Sequence, residues 1–456
     1  MKNQNFFERK LWGTTMGFYL TIFCSSFGLV HIWRFPYIVI ENGGGAFLYI
    51  YFLVAAVLGS CYVMTELMVG KLAQKSLWLA FDLWTRDALM LSPQMPAVRK
   101  TIYAGFRKLG DVSILLSLLV TAYYTVISGW VLAYLLNFFL IKIEASEESF
   151  LIQMGFSFLH LAICCLFVRR GFQRGLERLG YVVAPLFLVL LLYLCYQSLS
   201  LPTAPEAIRF LFYPDFTKIT WASLNQAVGH VILSLGLGLG TIITFGSYFQ
   251  PERDITSAGS RVVVFSILMS ALSVLILCPM VLDAPYAVFG PKLLFQTIPQ
   301  LIFKFPKGQL ILILFYLTLY LASLVATTGL LESLVANLTD RWQWGRSKAL
   351  KISGLWILFF ATFPILGATE LKNFRWMNGV SVLESVDGIL VNFALPLLAF
   401  GVSLGAAFLI PKKLILHEFD GREINQEISH FYPIWRGVIC WFAPSIIALG
   451  FLMRFL

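Results

Sequence analysis

Two short segments of this chain combine a histidine with small or helix-weakening residues. The first, residues 25–36 (SSFGLVHIWRFP), contains His31 and Arg34. The second, residues 230–240 (HVILSLGLGLG), contains His230 and three glycines at every second position. Glycine costs about 1 kcal/mol relative to alanine inside a helix, and interrupted helices often form the central binding site of a transporter. We predict that both segments are unwound at such a site; glycines that serve only in helix packing are the alternative.

The composition indicates that both segments lie within a membrane. Hydrophobic residues make up 59% of the 456 residues and charged residues only 13%, whereas soluble domains average about 25% charged residues. All seven cysteines lie in apolar stretches, where they are expected as small buried residues rather than disulfides or metal ligands. A disordered chain, a disulfide scaffold, a collagen and a water-soluble enzyme are therefore excluded. The composition predicts an all-α polytopic membrane protein.

Apolar runs of about 18 residues or more predict eleven transmembrane helices in this chain. They cover approximately residues 12–38, 44–70, 111–140, 151–169, 179–200, 221–249, 260–285, 308–337, 349–368, 379–410 and 432–455. A long basic segment, residues 71–110, separates the second span from the third. Residues 290–305 are predicted to form a short amphipathic or re-entrant hairpin.

The distribution of charge predicts the orientation of these spans. Lysine and arginine are enriched in cytoplasmic loops, and a cytoplasmic N-terminus places most of the 34 lysines and arginines on the inner side. The net charge of +10 then belongs to the loops and does not indicate nucleic acid as a partner. The outer loops are short, and the glycosylation sequon at Asn337 lies at an inner helix end. These features favour a bacterial inner membrane, in contact with the lipid bilayer; the oligomeric state stays open.

Several motifs, in order along nearly the whole chain, resemble the neurotransmitter:sodium symporter family, to which the bacterial leucine transporter belongs. They are WGTTMGF at residues 12–18, WRFPY at 33–37, ENGGGAF at 41–47, RG at 170–171, GLE at 175–177, PDF at 214–216 and SLGLG at 234–238. The resemblance implies the leucine-transporter fold, a five-plus-five inverted repeat with discontinuous helices 1 and 6. The whole chain is then one transporter domain, with residues 12–200 as the first repeat, 221–410 as the second and 432–455 as an extra helix.

The resemblance also implies a function, the alternating-access import of an amino acid or similar small zwitterion, driven by sodium. It implies that the substrate carboxylate is held by the backbone N–H groups of Leu29 and Val30 and by the hydroxyl of Tyr124. An anion is favoured at the N-terminus of a half-helix, although Tyr124 as a packing aromatic is the alternative. The residues that the resemblance places around the substrate side chain are Leu233, Ser234, Gly236, Leu239 and Leu330. This largely apolar lining favours a hydrophobic or aromatic substrate.

Two charged pairs match the gates of the family. Arg34 lies beside the first break and Asp387 near the outer start of the tenth span, and the resemblance implies that this pair closes the outer path. Arg9 and Asp340 match the inner latch, with unrelated solvated charges as the alternative. A charge inside the membrane is costly, so Arg34 and Asp387 are expected to face a cavity or each other.

The positions that match the first sodium site of the family depart from its ligand pattern. They are Ser26, His31, Ser234 and Ser266, where the resemblance implies two amide or acid side chains at the positions of His31 and Ser266. Sodium is a hard cation that prefers oxygen ligands, and an imidazole nitrogen is a poor one. The sequence therefore predicts that this site is altered.

The positions that match the second sodium site are more strongly changed. They are Cys24, Phe27, Ala322, Val325 and Ala326, and the last two replace a pair of hydroxyl side chains. Residues at i, i+3 and i+4 share one helix face, so Val325 and Ala326 would present methyl groups to the ion. The hydroxyls of Ser323 and Thr327 lie one residue further, about 100° round the helix. We predict that the second site is degraded.

His31 and His230 are the alternative coupling groups. Only five histidines occur in the chain, and histidine titrates near neutrality, so a protonated imidazole could replace the charge of the first sodium ion. We predict coupling that is partly or wholly to protons, with uncoupled transport as the alternative. Chloride, which animal relatives bind at positions matching Tyr51, Ser234 and Ser270, stays open, although His230 replaces one of its ligands.

Two other classes of function compete with transport. A substrate sensor without transport, built on a transporter scaffold, would tolerate altered ion sites, but preserved gates at both ends favour alternating access. A membrane-embedded enzyme finds no support, because the sequence has no metal-ligand spacing, nucleophile elbow or facing pair of acids, and it predicts no cofactor. Measured uptake separates a transporter from a sensor.

Overall fold

The structure is a computed structural model. It describes residues 11–26, 28–91, 94, 96–137, 149–282, 293–303, 307–371, 374–376, 380–420 and 431–452. The N-terminal segment with Arg9 and the single residue Phe27, both named above, lie outside the described residues.

Long apolar helices dominate the described part of the chain, as its hydrophobic composition requires. Seven of them are long and apolar enough to cross a membrane, and two further helix pairs, bent by 56° and 107°, raise the number to nine if each pair is one span. The seven are Gly45–Ala73, Ala97–Asn137, Phe150–Arg169, Phe172–Leu199, Ile255–Val281, Gly308–Trp342 and Arg346–Ala368. Helices that are apolar on all sides suit a bilayer, and the chain is a multi-pass helical membrane protein.

The helices of the first half precede the second break. They are α1 (Thr15–Ser26), α2 (Leu29–Glu41), α3 (Gly45–Val54), α4 (Ser60–Ala73), α5 (Leu77–Leu91), α6 (Ala97–Asn137), α7 (Phe150–Arg169), α8 (Arg178–Leu199), α9 (Ala204–Phe212) and α10 (Trp221–Ser234). Short π-helices, Ala55–Gly59 and Phe172–Glu177, join α3 to α4 and lead into α8, and Phe216–Lys218 forms a 3₁₀ turn.

The helices of the second half continue from the second break. They are α11 (Thr241–Gly246), α12 (Ile255–Val281), α13 (Ile298–Ile302), α14 (Gly308–Trp342), α15 (Arg346–Ala368), α16 (Val382–Ile389), α17 (Leu395–Leu409), α18 (Lys412–Asp420), α19 (Phe431–Gly437) and α20 (Ala443–Leu452). Three π-helices, Leu293–Thr297, Leu390–Ala394 and Val438–Phe442, lie between them. Two strands of two residues each, β1 (Arg375–Trp376) and β2 (Val380–Ser381), pair antiparallel.

The first break lies between α1 and α2, whose axes differ by 56°. Gly28 precedes α2 in an extended conformation. A methyl group at Gly28 would overlap the hydroxyl of Tyr124, so glycine is required here by close packing. The chain therefore leaves the helix where the residues weaken it, and the N-terminus of α2 is buried in protein.

The second break lies between α10, which ends at Ser234, and α11, which begins at Thr241. Gly236, Gly238 and Gly240 all have positive φ angles, of 65°, 82° and 73°. Side chains other than glycine rarely adopt this left-handed conformation. The alternating glycines are thus the direct cause of the break.

The N-terminal part of α6 differs from the sequence prediction. The predicted span at residues 111–140 begins as a helix fourteen residues earlier, at Ala97, and reaches Asn137. Its 41 residues extend about 60 Å at 1.5 Å per residue, twice the thickness of a bilayer core. Together with α5 this extension makes the basic segment 71–110 largely helical, and the buried carboxylate of Asp82 holds it by ion pairs to Arg86 (2.8 Å) and Arg107 (2.6 Å).

The region after α17 packs back onto α4. Trp435 on α19 is completely buried, and its indole Nε1 donates a 2.8 Å hydrogen bond to the hydroxyl of Thr65 on α4. Lys71 near the C-terminal end of α4 pairs with Glu418 on α18 at 2.7 Å. These contacts attach α18 and α19 to α4.

Candidate functional site

A small apolar cavity lies where α2, α6 and α10 meet, beside the first break. It is lined by Leu29, Val30, Arg34, Val120, Tyr123, Tyr124, Ile127, Leu233, Leu390 and Val391. Its volume is about 30 Å³, and one water molecule requires about 10–15 Å³ on the same measure. The cavity is thus contracted, and an amino acid would have to push its walls apart.

The polar end of the cavity is formed by Tyr124 and the N-terminus of α2. The backbone N–H of Leu29 donates a 2.6 Å hydrogen bond to the phenol oxygen of Tyr124, and the N–H of Val30 also interacts with it. The structure therefore brings together the three groups that the sequence predicts around a carboxylate. A carboxylate oxygen could replace the phenol oxygen as the acceptor of both N–H groups while the phenol O–H donates to it.

The residues predicted around the substrate side chain are divided by the structure. Leu233 lines the cavity together with Leu29. The hydroxyl of Ser234 donates to the carbonyl of Val231 in its own helix, at 3.2 Å. Gly236 borders open space, since a Cβ there meets no atom within 4 Å, and Leu239 and Leu330 are buried without lining the cavity.

The sequence prediction missed part of the cavity wall. Val120, Tyr123 and Ile127 on α6 line it, and they lie four residues before, one before and three after Tyr124. These spacings place them on or beside one helix face, so extending the prediction from Tyr124 along α6 would have found them. Leu390 and Val391, in the π-helix after α16, had no such signal.

The predicted gates are only partly described. Arg34 on α2 lines the cavity. Asp387 lies in α16, and its side chain is outside the described residues, as is the whole of Arg9. Asp340, near the C-terminal end of α14, accepts a 2.7 Å hydrogen bond from the backbone N–H of Ser76.

His31 and His230 lie close to each other, outside the set of residues that line the cavity, and both are completely buried. Their ring centroids are 5.6 Å apart at an angle of 76°. The Nε2 atom of His31 lies 3.3 Å from the hydroxyl of Ser266 on α12, and the ring of Phe35 stacks on His230 at 4.6 Å. The helices beside the two breaks, α2 and α10, thus each contribute one imidazole to the same place.

Hydroxyl groups surround this histidine pair. The phenol of Tyr51 on α3 is 2.8 Å from the hydroxyl of Ser270 and also interacts with those of Ser234 and Ser266. Neither ring nitrogen of His230 has a hydrogen-bond partner among the described residues. The four helices α2, α3, α10 and α12 therefore enclose two imidazoles and four hydroxyls, groups that can bind a proton or contribute oxygen ligands to an ion.

Among the described residues, no carboxylate or thiol completes a metal-binding group with these two histidines. Within the described part of the chain, no group of three or more histidine, cysteine, aspartate or glutamate side chains could hold a metal ion. Ser26, the other residue at the predicted first sodium position, ends α1. The donors present fit a hard cation only through hydroxyls and backbone carbonyls.

At the predicted second sodium position, α14 presents methyl groups to the first break. A Cβ built at Gly28 would lie 3.8 Å from the methyl of Ala326. The hydroxyl of Thr327 points elsewhere: it lies 3.0 Å from Nε2 of His160 on α7 and donates to the carbonyl of Ser323. Ala322, Val325 and Cys24 are buried, and the side chains of Ala322, Val325 and Ala326 carry no oxygen atom.

Comparison with known proteins gives one consistent answer. The family model described as "Sodium:neurotransmitter symporter family" matches residues 9–149 and 145–408. An uncharacterized sodium-dependent transporter of Bacillus subtilis is 27% identical over 97% of this chain and 96% of its own. The sodium-dependent dopamine transporter of Bos taurus is 24% identical over 74% of this chain and 54% of its own. The crystal structure of MhsT in complex with L-phenylalanine superposes with a TM-score of 0.84 and 27% identity, covering 98% of this chain and 99% of that one.

Proposed function

Since the chain belongs to the sodium:neurotransmitter symporter family, we propose that it is a secondary active transporter that imports an amino acid or similar small zwitterion by alternating access. The observation that carries this proposal is the meeting of the Leu29 N–H with the Tyr124 hydroxyl at the buried N-terminus of α2. A half-helix N-terminus favours a carboxylate, and the phenol adds a directional donor to it.

We also propose the detailed architecture that the sequence predicts. It comprises eleven spans with a cytoplasmic N-terminus in a bacterial inner membrane, a first repeat at residues 12–200, a second at 221–410 and an extra helix at 432–455. Support comes from the two breaks, which lie in the first helix of each repeat, and from the basic inner loops.

The substrate that we propose is a hydrophobic or aromatic amino acid. Apart from Arg34 and the two tyrosines, the cavity is lined by aliphatic side chains, and MhsT was crystallised with L-phenylalanine. Arg34 with Asp387 would close the outer path, and Arg9 with Asp340 the inner one.

The relatives named sodium-dependent transporters favour coupling to sodium, whereas the side chains at the two predicted sodium positions favour a changed coupling mechanism. Valine and alanine stand at the second site, and imidazole stands at the first. We propose that protons replace sodium partly or wholly, with His31 and His230 as the binding groups, and that uncoupled transport is the alternative. Chloride at Tyr51, Ser234 and Ser270 stays a further candidate.

Uptake by the purified chain in proteoliposomes tests these proposals. Each amino acid is offered under a sodium gradient alone, a pH gradient alone, both, and neither, with chloride present or replaced by gluconate. Uptake under the pH gradient alone supports proton coupling; sodium-driven uptake without pH dependence contradicts it. Saturable binding without uptake under any gradient would indicate a sensor.

A further inference from the structure

The start of α1 is held by a carboxylate from another helix. Thr14 is the N-cap of α1, because its hydroxyl accepts a 2.9 Å hydrogen bond from the N–H of Gly17. Glu177, next to the start of α8, accepts 3.0 Å hydrogen bonds from the N–H groups of Gly13 and Thr14 and one from the Thr14 hydroxyl. Glu177 is only 4% exposed, and these hydrogen bonds satisfy its buried carboxylate.

This arrangement is a capping box completed by a second helix. In a capping box the N-cap hydroxyl binds the N–H at position N3, and a glutamate at N3 binds back to the N-cap N–H. In α1 position N3 is Gly17, which has no side chain, and a methyl group there would overlap the Glu177 carboxylate. Glu177 therefore occupies the place of the missing glutamate, which ties α1 to α8.

The two helices are in close contact beyond the cap. A Cβ at Gly180 on α8 would lie 2.9 Å from Cα of Thr21, so the backbones of α1 and α8 touch one turn further along. The negative charge of Glu177 also lies at the positive end of the α1 dipole. On another side of the same turn, Arg253 donates a 2.8 Å hydrogen bond to the hydroxyl of Thr15.

We propose that Glu177 is a positioning residue for transport, which holds α1 against α8 and so keeps the inner path closed. This inference rests on the proposed function and on the cytoplasmic N-terminus, because α1 then lies between the central break and the inner surface. The 56° bend lets α1 move separately from α2. Opening on the inner side then requires that the shared capping box breaks, and its hydrogen bonds set part of the equilibrium between the closed and the inward-open state.

The native Cys24 offers a direct measure of this opening. Its thiol is buried at 1% exposure, near the end of α1. Two single-cysteine backgrounds are prepared with alanine at the other six positions, one that keeps Cys24 and one that keeps Cys278, a completely buried thiol on α12. In each, Glu177→Gln is compared with the unchanged background by the rate of modification with a thiol reagent added to the cytoplasmic side of inside-out vesicles, alongside uptake.

We expect Glu177→Gln to raise the modification rate of Cys24 about tenfold, the effect of losing a hydrogen bond to a charged group, and to leave that of Cys278 unchanged. Glu206→Gln, at an exposed acid on α9, is the matched control and should change neither rate. An unchanged Cys24 rate overturns the proposal, and so does an equal increase at both cysteines, which would indicate general loosening.

A second variant keeps the proposal testable if Glu177→Gln fails to insert. Gly17→Ala improves the helix propensity of α1 while its methyl displaces the Glu177 carboxylate, and it should raise the Cys24 rate in the same way. Gly354→Ala, where a Cβ meets no atom within 4 Å, is its control. Failure of the proposed function is distinguishable, because it would appear as no uptake by the unchanged chain while the labelling rates still report on α1.

Discussion

At the scale of single residues, Tyr124 places one hydroxyl at the polar end of the cavity. That hydroxyl is the acceptor for the N–H of Leu29 in the contracted cavity, and under the proposed function it would become a donor when a carboxylate enters. One side chain can serve both states because a phenol both donates and accepts. The hydrogen bond lost when Leu29 separates from Tyr124 would thus be replaced by hydrogen bonds from the same two groups to the carboxylate.

Tyr124→Phe should weaken substrate binding. Phenylalanine keeps the ring but removes a donor to the carboxylate, and a hydrogen bond to a charged group is worth about 1.5–3 kcal/mol. We expect the Kd to rise about tenfold to a hundredfold, measured by calorimetry on the purified protein. Tyr123→Phe, at the neighbouring tyrosine of the same cavity wall, is the control, and equal Kd values for the two variants would contradict the assigned role.

The second ion position offers a test by restoration. Val325→Thr together with Ala326→Ser would place two hydroxyls on the face of α14 that meets Gly28, and each can bond to its own helix when no ion is present. We expect the double variant to gain a sodium-dependent rise in Tm and in uptake. The control places a hydroxyl on a different face of α14: Leu324→Thr should gain no sodium-dependent rise in Tm or in uptake. No sodium response in the double variant would show that hydroxyls alone do not rebuild the site.

These residues also show how far side-chain placement could be predicted from the sequence. The register of α14 was predictable, because i, i+3 and i+4 spacing alone separates Ala326 from Thr327. The partner of Thr327 was not, since His160 lies 167 positions away and only tertiary packing brings it near. Leu390 and Val391 were missed for the same reason, as they reach the cavity from a segment without any motif.

At the scale of elements, the second break depends on glycines in a left-handed conformation that other residues adopt only at a cost. Gly238 has φ of 82°, its N–H donates a 2.6 Å hydrogen bond to the buried carboxylate of Glu66, and a Cβ there would lie 2.8 Å from the backbone nitrogen of Ala399. The left-handed conformation of Gly238, its hydrogen bond to Glu66 and its close approach to Ala399 thus together fix the break.

Gly238→Ala should therefore destabilise the fold. The left-handed conformation costs a residue with a side chain about 1–2 kcal/mol, and the overlap with α17 adds to it. We expect a clear fall in Tm for Gly238→Ala, measured by thermal unfolding in detergent. Gly354→Ala, inside α15 with open space around it, should instead raise stability by about 0.5–1 kcal/mol, and a similar Tm for both variants would show that the break is flexible rather than specified.

Element boundaries were predictable where one physical cause acts locally. The two breaks follow from glycine and from residues that weaken a helix, and those causes are visible in the sequence. The start of α6 at Ala97 was not visible, because hydropathy marks where a helix enters the membrane and not where it begins. The pairing of Asp82 with Arg86 and Arg107, which stabilises the polar extension, joins two helices and needs the fold to be known.

At the scale of the whole molecule, the contracted cavity and the capping box shared by α1 and α8 describe one state of a transport cycle. The cavity has room for little more than water, and the helix that would open it towards the inside is fastened by Glu177. In the proposed cycle, an entering substrate separates Leu29 from Tyr124, and the shared capping box breaks when the inner side opens. The binding energy of a substrate between Leu29 and Tyr124 would shift the equilibrium between the closed and the inward-open state.

The parity of the spans gives the whole-molecule proposal its sharpest test. Eleven spans with a cytoplasmic N-terminus place the C-terminus outside, whereas ten or twelve would place it inside. We expect alkaline phosphatase fused after Leu456 to be active and green fluorescent protein fused there to be dark. The matched fusion sites after Lys348, next to basic residues at the start of α15, should give the opposite pair. A fluorescent C-terminal fusion would mean either an even number of spans or an inverted orientation. The Lys348 fusions distinguish the two: an inner Lys348 leaves only the extra helix to be revised, and an outer Lys348 means that the orientation is wrong.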